Sequence, residues 1–210
     1  MSTDAVSMHG RRGVEWRRAE FVLVLLGFLG FLTLPIRIKT IYSGLPAHPL
    51  FIHVPVVLIP ISVLGAIVCI ARPAWLDRYG VVLSVTAIVA MSSIFLSMQA
   101  GAELRGALNL QGQAASLIQR HSHAAHILAV VFVLFTAVLI LTFAAQRISG
   151  GMPTGLAIAD RLLSPRSNVV ALRIVLLMLA LVSAYMVFKV GDLGAKAVWA
   201  GRLQQSAPAG

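Results

Sequence analysis

Runs of apolar residues long enough to cross a bilayer dominate this chain, and no other feature constrains its fold more. Segments at 50–71, 80–102, 123–145 and 169–191 each approach or exceed the roughly 20 apolar residues that cover about 30 Å of hydrocarbon. A fifth segment, Phe21 to Ile38, is interrupted by Pro35 and flanked by Arg37 and Lys39. Lipid offers no hydrogen bonds to an open backbone, so all five are expected to be helices. The predicted fold is all-α: a polytopic membrane helical bundle of five transmembrane helices, a four-helix core at 45–203 plus an N-terminal extra helix within 21–44. A basic tail (1–20) precedes it and a flexible tail (204–210) follows. No Ala-x-Ala-like cleavage site follows the first apolar segment, so it reads as an uncleaved helix. Gly27 and Gly30 offer it a close-packing face. The polar stretch Glu103 to Arg120 reads as a loop with room for a short surface helix, Arg147 to Asn168 as a second loop, and no internal repeat is evident.

The net charge is +10 over 210 residues, yet only 11% are charged and 59% are hydrophobic. Most of the basic residues flank the apolar runs, which points to anionic lipid head groups and the bilayer and away from nucleic acid. Five spans put the termini on opposite faces. The N-terminal face carries Arg11, Arg12, Arg17, Arg18, Arg72, Arg78, Arg147, Arg161, Arg166 and Arg173. The other carries Arg37, Lys39, Arg105, Arg120, Lys189, Lys196 and Arg202. This bias predicts a cytoplasmic N-terminus and a multi-pass protein of the bacterial inner (plasma) membrane. Cys69 is the only cysteine, which excludes an intrachain disulfide and thiolate-ligated zinc or iron–sulfur centres. It sits inside an apolar run and reads as a small core residue.

That topology gathers the ionisable groups at one end. His48 and His53 open the second span, Gln99 and Glu103 close the third, His121, His123 and His126 open the fourth, and Lys189, Asp192 and Lys196 close the fifth. Every histidine except His9 falls on this outer face. Ionisable groups near the bilayer are costly and mark functional sites. His53 and His126 each lie about one turn inside their spans, and His123 and His126, three apart, share a face. Pro49 places His48 ahead of the helix, at the rim, and Pro60 is expected to kink the second span and open a pocket. Ser93, Ser97 and Gly101 form a small-residue stripe that serves close packing or makes room for a bulky ligand.

Three chemistries suit such a cluster. A b-type haem would be held between His53 and His126 or His123, with Glu103 or Asp192 as hydrogen-bond acceptors behind the ligands and Arg105, Arg120 or Lys196 near the propionates. A metal ion without porphyrin would use His53, His123, His126 and a carboxylate, Glu103 or Asp192. Alternatively no cofactor is bound, and the histidines cap helices at the interface. His121 reads as structural, and His48 is a further cofactor-binding candidate, the neighbour of His53 at the rim. No strand–turn–helix elbow, His-Glu-x-x-His motif or phosphate-binding loop is present.

His48-Pro-Leu-Phe-Ile-His-Val-Pro55 resembles the His-Pro-x-x-x-His-Phe-Pro opening of a bacterial membrane family, domain-of-unknown-function family 2231. Gly191-Asp-Leu-Gly-Ala-Lys-Ala-Val-Trp199 resembles its closing Gly-His-x-Gly-Gly-x-x-Val-Tyr segment, and His126 fits a histidine near the start of its penultimate span. The likeness covers about 45–200 and leaves the first span as an extra. It implies a four-helix membrane core, sometimes beside Rieske or cytochrome c modules, and so leans towards electron transfer. Val54 stands where phenylalanine is usual, and Asp192 where histidine is frequent. The leading expectation is a membrane redox (electron-transfer) subunit with a histidine-ligated cofactor near the outer face, served by a membrane or periplasmic redox partner. The alternatives are a non-catalytic scaffold or assembly partner, and a metal-dependent membrane enzyme.

Overall fold

The computed structural model describes residues 19–31, 41–42, 45–107, 111–152, 154 and 157–205. The expected tails lie outside these residues, up to residue 18 and from residue 206. The helices are α1 (Ala19–Phe31), α2 (His48–Phe51), α3 (His53–Ala71), α4 (Pro73–Ala107), α5 (Gly112–Ser149), α6 (Ala157–Leu163) and α7 (Arg166–Gln205). Ahead of α2, two-residue strands β1 (Ile41–Tyr42) and β2 (Leu45–Pro46) pair antiparallel, with Tyr42 opposite Leu45.

The helical bundle expected from the apolar runs is what forms. Four helices, α2 with α3, α4, α5 and α7, are long and apolar enough to cross a membrane, and α1 is a shorter apolar helix beside them. They run alternately up and down. α3 packs on α4 and α7, and α5 packs on the same two, so α3 and α5 occupy diagonal corners. The outward surface is apolar all round, with Val57, Leu64, Val82, Val130, Leu134, Met178 and Leu181 among its exposed side chains. A soluble bundle would confine such residues to one stripe.

Helix boundaries differ from the sequence reading in three places. The polar stretch 103–120 is mostly helix, because α4 continues to Ala107 and α5 starts at Gly112. Ala, Leu, Gln, Glu and Arg there are strong helix formers. At 35 and 38 residues, α4 and α5 are roughly 52 and 57 Å long, so they overhang about 30 Å of hydrocarbon. The loop 147–168 contains α6, and the backbone N–H and Oγ1 of Thr154 both donate to Asp160 Oδ1 ahead of it, at 2.8 and 2.7 Å. His48 does not precede the helix. It opens the one-turn α2, in which proline falls among the first helical positions, where its missing N–H costs nothing. α3 runs on through Pro60, and α2 leads into it through Ile52, whose backbone stays helical and whose N–H donates to the His48 carbonyl.

The core centres on α5, whose Phe132, Phe135, Thr136, Leu139 and Phe143 are fully buried. Phe132 and Phe135 stack with centroids 5.1 Å apart. Cys69 is buried in the same core, as expected. α1 lies along α4 and α5, with Phe21 6.4 Å from Phe143 and Phe31 5.6 Å from Phe95, centroid to centroid. Gly27 and Gly30 are not its packing face, since a Cβ on either would meet no atom within 4 Å. Phe21, Val24 and Phe28 are the buried side chains instead.

One end of the bundle is tied by polar cross-links. Arg147, 5% exposed, donates to Glu20 of α1 at 3.0 Å and lies over the Phe143 ring at 4.5 Å. Gln146 donates to Asp77 of α4 at 3.1 Å and accepts from Arg173 of α7 at 2.7 Å. One level inward, Gly80 lies against Phe143, where a Cβ would overlap the ring. Gly80→Ala is therefore expected to destabilise the bundle by about 1–3 kcal/mol, the usual effect of overpacking. Thermal unfolding in detergent reads this as a lowered midpoint, and an unchanged midpoint would show that α4 and α5 can part there at no cost.

Candidate functional site

The opposite end, where α3 and α5 begin and α4 and α7 finish, holds the histidines. His48 reaches α4 and His121 reaches α7. The Nδ1–H of His48 donates to the carbonyl oxygen of Ser97 at 2.8 Å, and that of His121 donates to the carbonyl of Val190 at 2.9 Å. A carbonyl oxygen only accepts, so each bond puts a proton on Nδ1 and leaves Nε2 as the second functional nitrogen. Neither Nε2 has a hydrogen-bond partner among the described residues. The two ring planes are close to perpendicular, at 89°, with centroids 6.4 Å apart. Because α3 and α5 are diagonal, the pair meets across the middle of the bundle.

A helix carbonyl already accepts from the N–H four residues on, and that residue's side chain normally covers it. Both acceptors here have glycine in the covering position. A Cβ on Gly101 would sit 2.9 Å from His48 Nδ1 and 3.0 Å from its Cε1, and one on Gly194 would sit 3.2 Å from the same two atoms of His121. The small-residue stripe of α4 therefore makes room for the His48 ring itself. Ser97 adds a hydroxyl that is buried and has no partner among the described residues.

The other candidates lie elsewhere. His53, His123 and His126 are exposed, and the expected meeting of His53 with His126 does not occur. Five residues of helix turn a side chain by about 140°, so His121 pointing inward sends His126 outward. There its Nδ1–H donates to the Ser122 carbonyl of its own helix at 2.8 Å. His123 and His126 do share a face, and it is the outer one. Glu103 is exposed. Asp192 is paired with Lys196 at 2.7 Å. Arg105 and Arg120 are exposed, and Lys189 lies over the Tyr185 ring at 5.8 Å. Among the described residues no three His, Cys, Asp or Glu side chains come together in a way that could hold a metal ion.

The likeness to known proteins agrees with this framework. The model of domain-of-unknown-function family 2231, described as predicted membrane protein, matches residues 44–207. The chain belongs to that family. The match begins inside the β hairpin, just before β2, and takes in α2 through α7, so α1 stands outside the family 2231 core. Searches of curated proteins and of solved structures find no match. Within the family core, His48 was among the residues singled out from the sequence, whereas His121 was set aside as structural. The signal that marks His121 is its spacing: His121 and His126 repeat the five-residue interval of His48 and His53.

The paired anchors can be tested directly. In protein carrying 15N-labelled histidine, three imidazoles, those of His48, His121 and the exposed His126, are expected to hold their proton on Nδ1 in hydrogen bonds. Gly101→Leu should remove that signature from His48, and Gly194→Leu from His121. Retention of both signatures in both variants would contradict the anchoring.

Proposed function

We propose that this membrane protein is a redox subunit that carries electrons on a b-type haem, with His48 and His121 as the iron ligands. The reading is carried by one observation: two imidazoles from diagonal corners of the bundle, each held through Nδ1 by a helix carbonyl, with each Nε2 left without a partner. Ligating histidines are characteristically held in this way, because the second bond sets the tautomer and raises the basicity of the ligating nitrogen. With ring centroids 6.4 Å apart, the two imidazoles are near enough that both would hold one bound group.

The donor set favours haem over a bare ion. A porphyrin supplies four nitrogens, so its iron needs only one or two protein ligands. Zinc or copper held by protein alone draws on three or four, and no such group occurs among the described residues. When bound, the haem would supply a one-electron couple. The protein's own part is to hold two imidazoles in one tautomer and orientation, and to surround them with apolar helices. The unpartnered Ser97 hydroxyl is a donor available to the bound group. On this reading the histidine end is the outer face, the N-terminus is cytoplasmic, and the partner is a membrane or periplasmic redox protein on the outer side.

The test is the visible spectrum of the full chain, purified in mild detergent from haem-supplied cells, with metal analysis on the same sample. Sharp α and β bands on dithionite reduction are expected. His48→Ala and His121→Ala should each lower the haem-to-protein ratio several-fold and the double variant should abolish binding, while His53→Ala and His126→Ala should keep it. A colourless, metal-free wild-type protein would refute the proposal and leave the histidines as ties between helices, the scaffold reading.

A further inference from the structure

The two halves of the family core are built alike. In the first, His48 opens the helical segment, His53 follows five residues later and faces outward, and Ser97 on the returning helix accepts from His48 beside Gly101. In the second, His121 is followed five residues later by the exposed His126, and Val190 on the returning helix accepts from His121 beside Gly194. Acceptor and glycine are four residues apart in both. The returning segments read Phe95-Leu-Ser-Met-Gln-Ala-Gly101-Ala and Phe188-Lys-Val-Gly-Asp-Leu-Gly194-Ala, identical at the phenylalanine, the glycine and the final alanine. Histidine and acceptor lie 49 residues apart in the first half and 69 in the second. A large part of that difference is the connection carrying α6, since a single residue, Arg72, joins α3 to α4. The repeat expected to be absent from the sequence is therefore present in the structure.

We infer that the core is a fused pair of equivalent histidine–helix–helix modules, and that His48 and His121 would hold the bound group as equivalent ligands and leave no position for an exogenous one. The inference rests on the haem reading above and narrows its chemistry to electron transfer. Both imidazoles have the same anchor, a Nδ1–H bond to a helix carbonyl, so both nitrogens have similar basicity and similar constraint. The Ser97 hydroxyl is a polar donor in the first module, but with an imidazole held on each side neither module leaves the open position that an oxygen-activating site requires. The nearby carboxylates are exposed (Glu103) or paired with a lysine (Asp192).

The experiment adds carbon monoxide to the reduced full-length protein in detergent and records the spin state of the oxidised form by paramagnetic resonance. The wild type should be low-spin when oxidised, and its reduced Soret band should not shift. His48→Gly and His121→Gly, in whatever haem each retains, should both become reactive to carbon monoxide, and added imidazole should restore the wild-type spectrum in both. Restoration also shows that each variant has folded. A wild-type Soret shift with carbon monoxide would overturn the closed site while leaving haem binding intact. Reactivity in one variant and a wild-type spectrum in the other would overturn the equivalence of the modules. A wild type without haem would overturn the redox reading and this inference together.

Discussion

The histidine end depends on a helix carbonyl that accepts twice. In an apolar bundle the main-chain groups of each helix are satisfied within it, and side-chain donors have few places to go. The second lone pair of a carbonyl is one such place, provided that the side chain four residues on does not cover it. Gly101 and Gly194 remove that cover. The result fixes ring plane, tautomer and depth together, and it joins α2 to α4 and α5 to α7. One feature thus ties helices and prepares two nitrogens, so a structural and a chemical role for these histidines are not alternatives.

The opposite end solves a different problem with different groups. There Arg147 and Arg173 reach across helices to Glu20 and Gln146, and Gln146 continues the chain to Asp77. Burying a guanidinium in this setting demands a partner, and α1 brings one. α1 lies outside the family match, yet its Glu20 and Phe21 meet Arg147 and Phe143 of the core. The extra helix is in this sense an addition tied to the core at the arginine end, and it runs on along α4 to Phe95.

Much of the architecture was legible because span length and backbone satisfaction leave a chain like this little choice. The four long helices, their alternation and the gathering of histidines at one end all follow from apolar runs and chain parity. The identity of the facing pair was not legible from depth. Depth favoured His53 and His126, which lie further into their spans, whereas helical phase decides which side chain turns inward, and phase depends on how the helices pack. Proline was similarly ambiguous: Pro60 sits inside a continuous α3. The information that would have selected His121 was present as the two His-x-x-x-x-His intervals and the two Phe-x-x-x-x-x-Gly-Ala segments. Each is weak alone, and they gain meaning only when the second helix of each half is laid on the first.

The two ends also differ in what they admit. The histidine pair lies about 14 Å inside the start of α5, counted at about 1.5 Å per residue, and below it the bundle is filled by Phe132, Phe135, Leu139 and Phe143, all fully buried. Among the described residues no second cluster of histidines follows on the arginine side, where the ionisable groups are engaged in pairs or exposed to the surface. A cofactor on His48 and His121 would therefore communicate with the face on which it sits and not with the other. On the proposed haem reading, electrons would enter and leave from that one side. A bundle built to carry charge across the bilayer would need a second pair of ligands near the arginine end, and the described helices present aromatic packing there instead.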